Sequence, residues 1–306
     1  MNQKRHRLDH TPYLVAPGQK IRLKDYDPGF TAGFKNKAEG KAALLEDVSA
    51  LAEAQELLWA SAQHAVLIIF QALDAAGKDS TIKHVMSGVN PQGVQVHSFK
   101  APSEEERRHH FLWRPMKALP ACGRIAIFNR SYYEEALVVR VHPHFLEAQW
   151  LPQKLRDKNN KQFWKSRYSD INEFELIATR NDTTIIKFFL HVSKEEQRQR
   201  FLERLNEPEK QWKFSVSDYK ERAYWDDYVT VYEDMLNATS TEWAPWYIIP
   251  ADRKWFMRAL VADIITARIE ALNLAFPQVS QEQLSALEEV KQQLEQEGVQ
   301  GDKVTR

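Results

Sequence analysis

The 306-residue chain is long enough for one large α/β domain or two small ones, and its 43% hydrophobic and 27% charged content is that of a globular protein. Its 42 basic and 42 acidic residues cancel, so bulk positive charge does not hold a long nucleic acid, and any polyanion must be met by a local cluster. The single cysteine, Cys122, excludes an internal disulfide, and the longest apolar run, AVLIIFQALDAA, is too short and interrupted to span a bilayer.

The start, MNQKRHRLDHTPY, has basic residues with no apolar stretch behind them, so no secretory signal is expected and a cytoplasmic location is. Residues 1–37 are polar, with scattered Pro and Gly, and read as an extended arm. A helix is expected over 37–61, with Leu44, Leu45, Val48, Leu51, Leu57 and Leu58 near 3.6-residue spacing. AVLIIF (65–70) is a buried strand that runs into a loop, and a helix begins near Lys78. VQVHSF (94–99) reads as strand. Residues 103–119 read as one helix, with Ser103 and Glu106 as a capping box. RIAIFN (124–129) is strand, 170–181 contains helix, and 183–192 is strand. A helix capped by Ser193 with Glu196 covers 193–207, and a long helix covers 217–240. PWYIIPA (245–251) is strand, 254–273 helix, and the tail from Ser280 a charged amphipathic helix.

Five apolar strands separated by helices mean a parallel sheet covered on both faces. No linker interrupts the series. One domain is expected over 38–275, with the arm before it and a C-terminal amphipathic helix and tail over 276–306. Periodicity does not give the strand order.

The stretch Ala72–Ser80, ALDAAGKDS, stands between strand and helix. That context aims backbone N–H groups and a helix N-terminus at one point, which suits phosphate. Lys78 would add a point charge. The bland reading is a tight turn with an exposed lysine. The Ser or Thr that usually follows the lysine to coordinate magnesium is Asp79 here, and Asp74 or Asp79 could serve as the hard oxygen ligand. Alternatively, Asp79 only complements the helix dipole. Asn129 ends the strand where a second acid is usual, and Arg130 after it would face the phosphates or pair with a surface acid. Arg198, Arg200, Arg204, Lys210 and Lys213 follow the fourth strand. They form either a solvated charged face or a lid closing on a transferred group. His97, His109 and His110 read as structural or exposed, and no Cys/His group has zinc spacing.

ALDAAGKDSTIKHVMSGVNPQG, FNRSYYEEALVVRVHP, TTIIKFFLHVSKEEQ and STEWAPWYIIPADRKW together resemble the family-2 polyphosphate kinases, class III among them, over residues 40–275. The resemblance implies a three-layer α/β/α sandwich of the P-loop kinase type, with a five-stranded parallel sheet and a helical lid at about 198–222. It implies phosphoryl transfer between inorganic polyphosphate and nucleotides, AMP to ADP and ADP to ATP, with Mg²⁺. Asp74, Gly77 and Lys78 take the roles of the family's loop residues, and Asn129 and Arg130 those of its acid–arginine pair. Asp74 and Asn129 are then the metal positions. Ala75, Ala76, Asp79 and Ser80 join the loop on the phosphates, as do the basic residues of the lid. Asn90, Arg130 and Glu134 are expected on the nucleotide. A dimer or tetramer is expected, with no nucleic-acid or membrane partner. Two departures stand out: Ala72 where the family usually has Gly, which requires a negative φ there, and Asn129 where many members have Asp. An ATP-dependent nucleotide kinase and a weakly active or inactive nucleotide- or polyphosphate-binding protein are the alternatives.

Overall fold

The computed structural model describes residues 8–157 and 159–301. Among them are five strands, β1 (Ala65–Gln71), β2 (Val94–Ser98), β3 (Ile125–Asn129), β4 (Thr183–His191) and β5 (Trp246–Pro250). They pair all-parallel in the order β2-β3-β1-β4-β5. The helices are α1 (Lys37–Ser61), α2 (Lys78–Val85), α3 (Glu104–Arg108), α4 (Trp113–Lys117), α5 (Val138–Val141), α6 (Pro143–Glu147), α7 (Lys161–Thr179), α8 (Lys194–Asn206), α9 (Val216–Glu221), α10 (Trp225–Thr239), α11 (Lys254–Glu270) and α12 (Gln281–Gly301). None is long and apolar enough to cross a membrane.

Alternate strand residues point to opposite faces, and two cores result. Val66, Ile68, Phe70, Ile186, Phe188 and Ile249 meet α1, α2 and α11. Leu67, Ile69, Phe128, Ile185, Phe189 and Trp246 meet α7 and α10. The three-layer arrangement and the parallel sheet are those expected. Helix α1 approaches α11 closely at Gly40, where a Cβ would overlap the Trp255 ring.

The order of the strands places the site. β1 leads into α2 on one face, whereas the neighbouring β3 leads toward α7 on the other. Connections that leave adjacent strands toward opposite faces open a crevice at the strands' carboxyl ends. Here that crevice lies beyond Gln71 and Asn129.

Several expectations change in detail. The helix expected over 103–119 is two, α3 and α4, although the capping box forms as expected, with Glu106 N donating to Ser103 Oγ. A continuous helix would place Pro115 in its interior, against the Phe111 carbonyl. Breaking it puts Pro115 in a first turn, where its missing N–H costs nothing. The helix expected over 217–240 is interrupted by a 3-10 turn, Arg222–Tyr224, between α9 and α10. Leu45 is 71% exposed, while Ala54 and Gln55 of the same helix are buried. The described part of the arm, expected to be extended, carries two 3-10 turns, Thr11–Tyr13 and Leu23–Asp25, and is packed: Val15 N donates to Trp246 O, and Tyr13, Val15, Ile21 and Leu23 join the two cores. Residues 275–301 form a separate unit, whose helix α12 exposes Leu284, Leu287, Val290 and Leu294.

Candidate active site

β1 delivers the loop Ala72–Gly77 to the crevice, and α2 starts at Lys78. Gly77 takes φ +108° and Ala75 φ +59°, whereas Ala72 stays at negative φ. The Cβ of Ala72 therefore carries no left-handed strain, and the strained alanine is Ala75. Gly77 O accepts from Thr81 N (2.9 Å) and from the hydroxyls of Ser80 and Thr81 (both 3.0 Å), which closes the first turn of α2. Lys78 is buried, and its Nζ crosses the loop to donate to Ala72 O (2.9 Å). Burial pulls its pKa down, against the opposing pull of Asp74, Glu134 and Asp79.

β3 delivers Asn129 and Arg130. The Asn129 amide donates to Asp79 Oδ1 (2.7 Å), pinning the end of β3 to the first turn of α2. Arg130 takes φ +64°, an uncommon conformation for a non-glycine residue, with its N–H on Phe70 O. Its Nη2 reaches Asp74 Oδ1 at 3.0 Å. Burial works against the Arg130 charge, and the Glu134 and Asp74 carboxylates more than compensate, raising its pKa. Burial raises the Glu134 pKa, with Arg130 and Lys78 opposing. The Gln71 amide, turned so that both its ends are satisfied, donates to Glu134 Oε1 (2.9 Å) and accepts from Ser131.

Beneath the turn that carries Glu134 lies a fully buried ion pair. Lys187 Nζ donates to Glu175 Oε2 (2.6 Å), Tyr133 OH (2.9 Å) and Thr239 O (2.7 Å). The Tyr132 and Tyr133 hydroxyls both donate to Glu175 Oε1 (2.8 Å each). The two tyrosines thus fix the turn from below.

A cavity of about 220 Å³ opens over the loop, with Asp74, Arg130, Glu134, Gln197, Asp218 and Arg222 in its walls. Burial and the nearby Asp74 raise the Asp218 pKa. Glu221 accepts from Tyr228 OH (2.8 Å) and faces His142 Nε2 (2.7 Å), which ties α9 to α10 and to the start of α6. A larger cavity, about 530 Å³, lies on the other side of the 132–135 turn, lined by Arg114, Glu135 and Arg167. Two of its guanidinium groups are paired within the fold, Arg114 with Glu106 and Arg167 with Glu135, and it holds none of the loop. The smaller cavity is the candidate site because the loop and the unlike charges converge there.

The structure thus brings Asp74, Lys78, Asp79, Asn129, Arg130 and Glu134 together. Other expected residues are placed elsewhere. Asn90 caps the turn that leads into β2, at the amino-terminal edge of the sheet and at the far end of α2 from the loop. Arg200 is 3% exposed and turned into the fold, donating to Ala75 O (2.9 Å), Ala76 O (2.7 Å), Ala251 O (2.6 Å) and Glu196 (2.8 Å). Arg198 pairs with Glu195 at the surface and Lys210 pairs with Glu207, whereas Arg204, over the Phe201 ring, lies near enough to Asp218 on the cavity wall for its charge to favour that carboxylate. The side chain of Lys213 lies outside the described ones. Sequence reasoning missed Gln71, Gln197, Asp218 and Arg222. The four-residue spacing of Asp218 and Arg222, at the end of the expected lid, was the available signal.

The chain has recognisable relatives among known proteins. Residues 34–277 match the model of the family described as Polyphosphate kinase 2 (PPK2). The chain is 47% identical over 282 residues to an ADP-polyphosphate phosphotransferase of Rhodopseudomonas palustris, covering 92% of this chain and 97% of that one. It is 46% identical over 270 residues to an AMP/ADP-polyphosphate phosphotransferase of Meiothermus ruber, covering 87% and 95%. A solved polyphosphate kinase 2 from Arthrobacter aurescens TC1 superimposes with a TM-score of 0.82 at 39% identity, covering 92% of this chain and 95% of that one.

Proposed function

The chain belongs to the polyphosphate kinase 2 family, and from that premise we propose that it moves phosphoryl groups between inorganic polyphosphate and AMP or ADP. The observation that carries the reading is the convergence of Lys78, Asp74 and Arg130 on one loop at the crevice of the sheet. The resemblance to the R. palustris and M. ruber enzymes supports the two acceptors.

In-line transfer between phosphates needs little covalent work from a protein, so positioning and charge neutralisation dominate. Lys78 would leave Ala72 O for the entering phosphates, and its depressed pKa reflects the desolvation that an anion would relieve. Arg130 would neutralise charge on the transferred group while staying in reach of Asp74. Glu134, beside Arg130, would orient the guanidinium and face the nucleotide. The acceptor phosphate is ionised at neutral pH, so no strong base is required.

No three His, Cys, Asp or Glu side chains among the described residues converge to hold a metal by themselves. Asp74, on the cavity wall, fits instead a Mg²⁺ bound by one carboxylate and the substrate's own phosphates and waters. Mg²⁺ would supply charge neutralisation of the phosphate oxygens. Asn129 would act by orienting Asp79 rather than as a ligand. A cytoplasmic location, where nucleotides are abundant, belongs to the same reading. Assembly into a dimer or tetramer does too, supported by the exposed apolar stripe of α12.

The deciding measurement is the product time course from AMP plus polyphosphate without ATP, resolved into ADP and ATP. ADP appearing first and ATP second supports the reading. Turnover only when ATP is supplied would make the protein an ordinary nucleotide kinase. Binding without turnover would make it a binding protein.

A further inference from the structure

The carbonyls of three consecutive loop residues, Asp74, Ala75 and Ala76, are held by one helix. Gln197 Nε2 donates to Asp74 O at 2.9 Å, and Arg200, one turn along α8, donates to Ala75 O and Ala76 O. In a trans peptide the carbonyl of one residue and the N–H of the next point in opposite directions. Drawing the 74 and 76 carbonyls toward α8 therefore turns the Ala75 and Gly77 N–H groups away from it. The Ala76 N–H, by contrast, folds back on Leu73 O.

Gln197 has a second contact. Its Oε1 accepts from Arg222 Nη1 at 2.9 Å, and the same nitrogen donates to Lys194 O at 2.8 Å. Gln197 is 3% exposed, with both ends of its amide occupied. Arg222 follows α9 and lines the candidate site together with Asp74 and Gln197. One buried amide thus joins the segment over the site to the peptide that carries Asp74.

The geometry points to Gln197 as a positioning residue that couples the place of Arg222 to the orientation of the 74–75 peptide, and so to phosphate binding. The inference rests on the phosphate-site reading above. With Arg222 seated, the Gln197 Oε1 is satisfied and its Nε2 is fixed on Asp74 O. With Arg222 withdrawn, a buried acceptor loses its partner and the amide is no longer held in one orientation. Arg200 is the static part of the same frame, forming the loop from behind rather than touching the substrate.

The test compares Gln197→Met, Arg222→Met and the double variant, in turnover with polyphosphate and in calorimetric binding of tripolyphosphate with Mg²⁺. Gln197→Met is expected to weaken tripolyphosphate binding about tenfold, the order expected for one lost hydrogen bond in a buried site. The double variant should be no worse than Gln197→Met alone, because both substitutions break one linkage. Gln197→Glu keeps the Arg222 contact but places an acceptor against Asp74 O, so it should lose binding like the Met variant, and adding Arg222→Met to it should cause no further loss. That variant also reads the coupling should Gln197→Met not fold. Multiplicative effects of the two Met substitutions, or unchanged tripolyphosphate affinity in a folded Gln197 variant, would overturn the inference. A wild-type protein without polyphosphate turnover would sink the functional reading instead, and the binding arm would still decide this one.

Discussion

Asn129 donates from its amide to Asp79 across 2.7 Å, joining the end of β3 to the first turn of α2. A carboxylate can only accept, so the amide must present its nitrogen there. Taken one at a time, both residues depart from expectation: an amide where an acid is usual, and an acid where a hydroxyl is usual. Taken together they form one complementary pair. An aspartate at 129 would oppose Asp79 charge to charge.

Asn129→Asp is therefore expected to lower activity rather than improve it. Two carboxylates at that spacing repel, and kcat/KM should fall by about tenfold, more steeply at low Mg²⁺. Initial rates across a magnesium series check this. A gain in kcat/KM would show that Asn129 is a weakened acid position.

Lys78→Ala and Asp74→Asn should each reduce ATP formation from polyphosphate by about 10²–10³-fold, the order seen when a group facing developing charge is removed. Near-normal turnover in either variant would remove that residue from the site.

Glu134 offers a pH test with a defined sign. Burial raises its pKa in the folded protein above the ordinary 4.5. The folded state thus binds the proton more tightly than the unfolded chain. Stability from this group is present below pH 4.5 and is lost as pH rises through the folded value. Glu134→Gln should accordingly melt higher than wild type at pH 7, with the difference shrinking as the pH falls toward 4.5. Thermal melts of the two proteins across that range would show it, and a constant offset would contradict the assignment.

The Lys187–Glu175 pair predicts a non-additive cycle. Lys187→Met alone leaves the Glu175 carboxylate buried without its cation, at a cost of about 3–5 kcal/mol. Adding Glu175→Leu should recover much of that loss. Urea denaturation of the single and double variants measures both. Because Tyr132 and Tyr133 bond to Glu175, the single variant should also lose activity beyond its loss of folded protein.

Where side-chain pattern and local chemistry decide structure, they were legible. The residues of β1, β3, β4 and β5 form near-continuous apolar runs because both faces of a parallel sheet are covered. Ser103 and Ser193 cap their helices by contacts within four residues. Gly77 and Lys78 marked the candidate phosphate loop because a strand, a tight turn and a helix start are all written locally. These features alone indicate an α/β protein with a candidate phosphate-binding loop, and the four family motifs add the expected chemistry.

What depends on contacts far along the chain was decided only by the tertiary structure. The order β2-β3-β1-β4-β5 comes from pairings between residues 31 to 118 apart, and it alone puts Arg130 beside Asp74. Arg200 and Arg204 share spacing and charge type, yet Arg200 turns inward because loop carbonyls 124 and 125 residues away meet it there. Asn90 sits in a motif characteristic of the family but caps a turn at the opposite edge of the sheet. The sequence determined which residues could meet a phosphate. Only the folded chain decided which of them face the candidate site, because a side chain's direction is set by partners that periodicity does not encode.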